Sequence, residues 1–355
     1  MDMDDVVAFI PQPHDSVRPN ARELHLRLTK PAGSLGLLEA IGVQLSAISG
    51  EVPPPLPRPA SIAVFAADHG VIVEGVSEWP QEVTAQMISN MSTGGAAINA
   101  VARSVGASLH LVDVGINGDL GNLAGVEHRK IAMGTRNIRT GAAMSVQNAQ
   151  DAIAIGAEIA LRLVGDGARC LVTGEMGIGN TTPATALVCA VTGADAWAAT
   201  GRGAGVSEEI LATKRLVVAD ALDRSGRPDD PVELLAEIGG LEIAALMGFC
   251  LGAAHSRTPV ILDGVVALAA ALLAVELSPP VRGVLIAGHR SSDPASALAM
   301  EHLRLQPLLD LQIGLGEGVG AALAVPMVLA AAAVMRDMAS FGESAVSGSA
   351  AIRHA

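Results

Sequence analysis

The sequence predicts an α/β fold in which helices cover both faces of a parallel sheet, a three-layer α/β/α arrangement. The chain has 355 residues, 50% of them hydrophobic, so it can bury a large core. Short runs rich in β-branched residues end in Gly, Asp, Glu or His, and helix-like sequence follows. The predicted strands are SIAVFAADHG, ASLHLVDVGI, RCLVTGEMG, PVILDG, RGVLIAGHRS and LLDLQIGLGEG.

The proline-rich segment VPPPLPRPA, residues 52–60, predicts a linker before the first strand, because proline fixes its backbone angle and lacks an N–H donor. The residues before it are expected to be mainly helical. The segment after Pro326 is alanine-rich and contains no strand-like run. We therefore expect a small helical domain built from both termini, residues 1–50 plus 326–355, and a large α/β domain over residues 51–325.

The charge and the cysteines narrow the class of protein. The formal net charge is −13 and the pI about 5.1, which argues against a nucleic-acid partner because phosphate neutralisation requires a basic face. Small substrates are expected instead. The cysteines lie among apolar residues without ligand-like spacing, so we expect buried free thiols in a reducing compartment at Cys170, Cys189 and Cys250.

Two apolar segments approach membrane-spanning length, Val260–Leu277 and Gly318–Met335. Asp263 interrupts the first and Pro326 the second, and neither has a basic flank, so both are interpreted as buried helices. The N-terminal sequence MDMDDVVAF lacks the basic and long apolar regions of a secretory signal. We expect a cytoplasmic protein with no membrane partner.

Polar residues follow several of the predicted strands. Ligands of open parallel sheets bind beyond the carboxyl ends of the strands. This rule selects the candidates Asp68, His69, Asp113, Glu175, Asp263, His289 and Glu317.

The sequence TGEMGIGNTTPATALVCAVTG predicts a strand ending near Thr173, a tight turn over Gly174–Asn180 and then a helix. Thr181 and Thr182 suit the helix cap, and Pro183 suits the first turn. Backbone N–H groups at the positive end of a helix dipole bind phosphate without needing a lysine. An ordinary capped turn fits the pattern equally well, and the Gly-Lys-Ser/Thr of a Walker loop does not occur.

The sequence GLGEGVGA places one carboxylate, Glu317, between Gly316 and Gly318 and ahead of a long apolar stretch. Poor solvation raises a carboxyl pKa and makes the ionised group a stronger base, which suits removal of a proton from a weakly acidic nitrogen. A glutamate that caps the next helix is an equally good interpretation. The spacing also fits a dinucleotide fingerprint, which we reject because no second strand with an acid follows.

Other polar positions suggest anion contacts rather than a metal site. Asp68 and His69 in FAADHGV are interpreted as a satisfied polar pair, since no HExxH, CxxC or second cluster supports a metal. Ser291 in AGHRSSDP, Lys214 in ILATKRL and Arg202 in GRGAG are candidate ligands of an anionic substrate. No G-x-S-x-G sequence occurs, so a serine-hydrolase triad has no anchor.

Five motifs, spread in order over nearly the whole chain, resemble one enzyme family. They are KPAGSLGLLE (30–39), ADHGV…GVSEWPQEVT (67–84), GEMGIGNTTPA (174–184), PVILDG (259–264) and LGEGVGAALA (315–324). The sequence is similar in these motifs to the nicotinate-nucleotide–dimethylbenzimidazole phosphoribosyltransferases.

The resemblance implies a cytoplasmic homodimer with a Rossmann-like large domain and a small helical domain. It implies transfer of the 5-phosphoribosyl group of nicotinate mononucleotide to 5,6-dimethylbenzimidazole, which gives α-ribazole 5′-phosphate and nicotinate in cobalamin lower-ligand assembly. Glu317 takes the place of the family's general base. Neither a metal nor an organic cofactor is implied, because the pyridinium of the nucleotide is already a good leaving group.

The resemblance also implies roles for other residues. Glu175 would bond a ribose hydroxyl or assist the base. The nucleotide phosphate and ribose would be held by Gly177, Gly179, Asn180, Thr181, Lys214 and Ser291. The benzimidazole would be held by Trp79, Gln86, Met87, Met176 and Leu315. Two alternatives stay open: a phosphoribosyltransferase that prefers another base, such as adenine or a phenol, and a non-catalytic nucleotide-binding or regulatory module.

Overall fold

The computed structural model describes residues 9–121, 123–203 and 205–347, and a six-stranded parallel sheet forms its centre. The strands are β1 (Ala60–Ala67), β2 (Ser108–Gly115), β3 (Val126–His128), β4 (Cys170–Met176), β5 (Val260–Leu262) and β6 (Leu285–Ala287). Their order is β3-β2-β1-β4-β5-β6. The predicted α/β fold with a parallel sheet is confirmed. The strand order reverses between β1 and β4, where such sheets have a ligand crevice.

Helices connect the strands and surround the sheet. They are α1 (Arg18–Arg27), α2 (Leu37–Ser49), α3 (Val83–Ser92), α4 (Ala97–Val105), α5 (Val146–Gly165), α6 (Thr181–Thr192), α7 (Ala196–Ala199), α8 (Glu208–Ser225), α9 (Pro231–Ile238), α10 (Leu241–His255), α11 (Val265–Leu277), α12 (Pro294–Leu303) and α13 (Val319–Asp337). Several begin where a side chain accepts a backbone N–H of the first turn, as α5, α8, α9 and α12 do at Ser145, Ser207, Asp230 and Asp293.

The two faces of the sheet carry different helices. On one face the ring of Phe65 in β1 packs edge-on against that of Phe249 in α10, with centroids 5.6 Å apart. Ile62 points to the other face, where a Cβ on Gly318 would lie 3.5 Å from its side chain. Helices α10 and α11 therefore cover one face, and α13 covers the other with α3 and α4.

One predicted strand is wrong and one strand was missed. The segment LLDLQIGLGEG forms no strand, and only an isolated parallel bridge joins Leu309 to His289. Its end cannot extend because residues 316–318 all have positive φ. Strand β3, Val126–His128, was missed because it has only three residues and is not fully buried, so its sequence contains no apolar run that would indicate a strand.

Helices from both ends of the chain pack together. Ala21 of α1, Val43 of α2 and Met335 of α13 form a small apolar cluster, and an antiparallel bridge joins Leu28 to Ser340. Helix α13 continues through Pro326, so the expected boundary at 326 falls inside one helix. The two-domain division stays a prediction, and residues 1–8 and 348–355 of its small domain lie outside the described part.

The apolar segments singled out in the sequence are buried elements. Val260–Leu277 contains strand β5 and helix α11, whose residues are almost all buried. Among the described residues, α13 alone is long and apolar enough to cross a membrane, with mean hydropathy 1.9. Of that stretch, 56% is buried inside the protein, as in a core helix. Cys170, Cys189 and Cys250 are buried and free.

Candidate active site

A cleft opens at the carboxyl ends of β1, β4, β5 and β6, and most of the predicted site residues line it. These are Trp79, Glu175, Met176, Gly177, Gly179, Asn180, Thr181, Lys214, Ser291 and Leu315. Several further residues line the cleft and had no role assigned from the sequence, among them Val76, Ser77, Gly203, Val206 and Ile313. Ser292 and Asp293, which follow Ser291 in AGHRSSDP, also line it, and the polar residues at that strand end were the signal that pointed to them.

The turn between β4 and α6 forms the floor of the cleft. Gly179 has φ +89°, and a Cβ on Gly177 would lie 2.5 Å from the carbonyl oxygen of Ala67, so this path requires glycine. Helix α6 begins at Thr181, so Thr181 lies within the first turn and not before it as predicted. Asn180 is the N-cap, yet its side chain does not cap the helix. The N-terminus of α6 therefore faces the cleft with backbone donors available to an anion.

Lys214 brings a cationic group to the same helix end. Its side chain, on α8, is 2% exposed, and its Nζ donates to Thr181 Oγ1 at 2.9 Å. Burial lowers the pKa of Lys214 to about 8, against the opposing effect of Asp293. A phosphate at the start of α6 would accept from this ammonium as well as from backbone N–H groups.

Glu175, at the end of β4, is held beside the phosphate turn. Asn180 Nδ2 donates to its carboxylate. The pKa of Glu175 is raised to about 8, mainly by burial; the hydrogen bond from Asn180 opposes this rise, and the nearby charges of Asp263, Glu242 and Glu317 contribute to it. At neutral pH this carboxyl group is therefore protonated and can donate a hydrogen bond.

Glu317 lies beside this cleft but does not line it. Glu317 is 4% exposed, and its Oε2 has no hydrogen-bond partner among the described residues. Burial raises the pKa of Glu317 and the negative charge of Asp263 adds to this, whereas a hydrogen bond from the backbone of Ile98 lowers it. Because Ile98 is in the first turn of α4, the carboxylate lies on the α3/α4 side of the sheet.

Two predicted benzimidazole contacts lie outside the cleft. Gln86 is exposed and Met87 is half-buried, and both belong to α3. The structure therefore separates the predicted residues into a group that lines the cleft and a group on the α3/α4 side, which contains Gln86, Met87 and Glu317.

Asp263 and His289 follow β5 and β6 and meet at the start of α13. Asp263 Oδ2 accepts from the backbone N–H of Gly318 at 3.1 Å, and Oδ1 accepts from that of Ala321 at 2.9 Å. His289 Nε2 is 3.2 Å from Asp263 Oδ1. The sequence placed both residues at strand ends, but contained no sign that one caps a helix more than 50 positions away.

The remaining strand-end residues form a polar network outside the cleft. His69 Nε2 lies 2.6 Å from Glu242 Oε1, and Asp68 Oδ2 accepts from the backbone N–H of Asn117 at 2.8 Å. Asp113 Oδ1 accepts from the backbone N–H groups of residues 115 and 116. In the described ranges, no group of three or more His, Cys, Asp or Glu residues has an arrangement that could hold a metal ion.

Comparison with known proteins agrees with this geometry. A family model described as "Phosphoribosyltransferase" matches residues 10–346. The chain is 47% identical over 341 residues to the nicotinate-nucleotide--dimethylbenzimidazole phosphoribosyltransferase of Salinispora tropica, covering 92% of this chain and 94% of that protein. It is 46% identical over 321 residues to the protein of the same name from Thermus thermophilus, covering 90% and 95%.

A solved structure gives the same result. The crystal structure of nicotinate-nucleotide-dimethylbenzimidazole phosphoribosyltransferase from Thermus thermophilus superposes with a TM-score of 0.89 at 44% identity. The match covers 94% of this chain and 99% of the solved one. The chain therefore belongs to the phosphoribosyltransferase family that contains the nicotinate-nucleotide–dimethylbenzimidazole phosphoribosyltransferases.

Proposed function

We propose that this protein transfers the 5-phosphoribosyl group of nicotinate mononucleotide to 5,6-dimethylbenzimidazole, giving α-ribazole 5′-phosphate and nicotinate. Its relatives are named for this pair of substrates. The observation that carries the proposal is the placement of a buried carboxylate, Glu317, next to a cleft whose floor is a phosphate-binding turn.

The nucleotide phosphate binds at the start of α6 in this proposal. Gly177, Gly179, Asn180 and Thr181 form the turn, and Lys214 supplies a positive charge beside it. Ser291 lines the cleft beyond the turn and offers a hydroxyl group to the nucleotide. Fixing the nucleotide at its phosphate holds the anomeric carbon in one place, and positioning of two substrates contributes roughly 7 to 11 kcal/mol to such reactions.

Glu317 acts as the general base in the proposed mechanism. It removes the N–H proton of the benzimidazole, and the electron pair of the other ring nitrogen then attacks the anomeric carbon. The bond to nicotinate breaks on the opposite face, so the β-nucleotide gives an α-riboside through an oxocarbenium-like transition state. A raised pKa makes the ionised carboxylate of Glu317 a stronger base, as this step requires.

The benzimidazole binds on the α3 side of the loop in this proposal. Gln86 and Met87 project from α3, and Trp79, Met176 and Leu315 form the wall shared with the cleft. Glu317 is only 4% exposed. In this proposal the benzimidazole reaches its carboxylate when the 313–316 segment or α3 moves aside. Glu175, protonated at neutral pH, donates a hydrogen bond to a ribose hydroxyl.

The proposal extends to assembly and location. We propose a homodimer in the cytoplasm, with a small helical domain formed by residues 1–50 and 326–355, which include α1, α2 and the second part of α13. The buried free thiols support a reducing compartment, since desolvation raises the pKa of Cys170 and Cys250 to about 12. Sedimentation velocity of the purified chain tests the dimer.

The decisive experiment mixes the protein with nicotinate mononucleotide and 5,6-dimethylbenzimidazole and identifies the product by mass. Glu317→Gln should lower kcat by about 100- to 10,000-fold, because general base catalysis contributes that much, while nucleotide binding survives. Glu301→Gln, an exposed change on α12, is the matched control and should retain full activity. Wild-type turnover in Glu317→Gln would remove the base role, and a panel including adenine and phenols tests the alternative substrates.

A further inference from the structure

The loop that carries Glu317 has an unusual backbone. Gly316, Glu317 and Gly318 have φ of +81°, +62° and +91°, three left-handed residues in succession. Glycine adopts this region freely, whereas glutamate does so at a cost. A side chain in this conformation keeps its position only where the surrounding structure fixes the backbone.

The fixing contacts come from Asp263. Helix α13 has no side-chain cap of its own, because its N-cap residue is Gly318. Asp263, at the end of β5, accepts the N–H groups of Gly318 and Ala321 at 3.1 and 2.9 Å, one with each carboxylate oxygen. One side chain therefore caps the helix and holds the residue that follows Glu317.

Asp263 is itself held on several sides. It is 2% exposed, its N–H donates to Thr173 Oγ1 at 3.0 Å, and Thr173 Oγ1 donates to the carbonyl of Ile261 at 3.2 Å. His289 Nε2 lies 3.2 Å from Asp263 Oδ1. Asp263 thus contacts β4 through its backbone N–H and the first turn of α13 through its carboxylate, which also lies next to His289 after β6.

We propose that Asp263 is the positioning residue that holds Glu317 in its reactive place and sets its basicity, acting through the backbone of Gly318 and Ala321 and through its own charge. This role rests on the proposed function, because it assumes that Glu317 is the general base. Asp263 itself contacts neither substrate in this proposal.

The charges around Glu317 give the role a signature in pH dependence. The ionisable groups that interact with Glu317 are Asp263 and Glu175, which follow or end β5 and β4, and the uncharged N–H of Ile98 on α4 donates to it. His289 lies next to Asp263. The negative charge of Asp263 raises the pKa of Glu317. Removing that charge lowers this pKa, so the acid limb of the activity profile moves to lower pH.

The test compares Asp263→Asn with Asp230→Asn. Asp230 caps α9 by accepting two N–H groups, at 2.8 and 2.9 Å, so its variant makes the same change of charge at a helix cap away from the cleft. Asp263→Asn should lower kcat by about 100-fold, the effect of a displacement near 1 Å, with little change in KM for either substrate. Its acid limb should shift to lower pH, and Asp230→Asn should show neither effect.

A second variant covers the case in which Asp263→Asn does not fold. Thr173→Val removes the hydroxyl that holds Asp263 and keeps its charge, so it should lower kcat without moving the acid limb. Unchanged kcat in either folded variant, or an unmoved acid limb in Asp263→Asn, overturns the positioning role. If the wild-type protein formed no α-ribazole 5′-phosphate, the proposed function itself would be overturned. Failure of the positioning role and failure of the proposed function are therefore distinguishable.

Discussion

The Nζ of Lys214 lies 2.9 Å from the hydroxyl oxygen of Thr181, the first residue of α6. Both side chains line the cleft, and a Cβ on Gly203 would lie 3.2 Å from the same Nζ. A buried ammonium is thus packed against the end of the helix where anions are stabilised.

Lys214→Met should raise the Kd for nicotinate mononucleotide by about 10- to 100-fold, because a hydrogen bond to a charged group contributes roughly 1.5 to 3 kcal/mol. Wild-type affinity should also fall as pH rises through about 8, where Lys214 loses its proton. Isothermal titration of the wild type and the variant over this range measures both effects. A wild-type Kd that stays constant across the range would show that the charge on Lys214 does not contribute.

Glu175→Gln should retain activity within about tenfold at neutral pH, because glutamine resembles the protonated carboxyl group and keeps a hydrogen-bond donor. Burial raises the pKa of Glu175 to about 8, so the wild-type enzyme should lose activity above that pH as the group ionises. The variant should lack that alkaline decline. A much larger loss at neutral pH would mean that Glu175 acts as an ionised base.

Trp79 should report binding of the benzimidazole. The chain has two tryptophans, and Trp79 is 54% exposed at the cleft while Trp197 lies on α7 below the guanidinium of Arg215. In Trp197→Phe, the emission should change when 5,6-dimethylbenzimidazole is titrated in, after correction for the ligand's own emission. Trp79→Ala should weaken binding by up to about tenfold, the usual contribution of aromatic stacking. If the emission of Trp197→Phe did not change, the benzimidazole would bind away from Trp79.

Gly248→Ala should destabilise the fold, since α10 and α5 pack with their backbones in contact. A Cβ on Gly248 would overlap the carbonyl oxygen of Ile153, and such overpacking costs about 1 to 3 kcal/mol. Gly165→Ala, at the end of α5 with no atom within 4 Å, is the control and should change the free energy of unfolding by less than about 0.5 kcal/mol. Urea unfolding measures both, and equal stability of the two variants would contradict close packing.

The fold was predictable where apolar patterns are local. Strands β1, β2, β4, β5 and β6 were recognised because each contains a run of β-branched or other apolar residues followed by a polar end. The run before Glu317 has the same composition, yet Gln312 and Gly316 adopt positive φ and no strand forms. Composition alone does not distinguish these outcomes, because the backbone angles depend on what packs against the loop.

The cleft was predictable where its residues share one motif. The turn from Glu175 to Thr181 is contiguous, so its role could be inferred from spacing and glycine content. The cap that Asp263 supplies to Gly318 joins residues 55 positions apart, and no periodicity in the sequence marks it. The position of α3 outside the cleft likewise depends on tertiary packing. It separates Gln86 and Met87 from the other predicted contacts.

The cleft draws its lining from Val76 through to Gly316, across most of the polypeptide. A nascent chain on the ribosome has no complete nucleotide site until synthesis has nearly finished. Substrate therefore cannot assist early folding steps, and the core must assemble from its own apolar contacts. Truncations before Ser291 should yield products that gain no thermal protection from nicotinate mononucleotide.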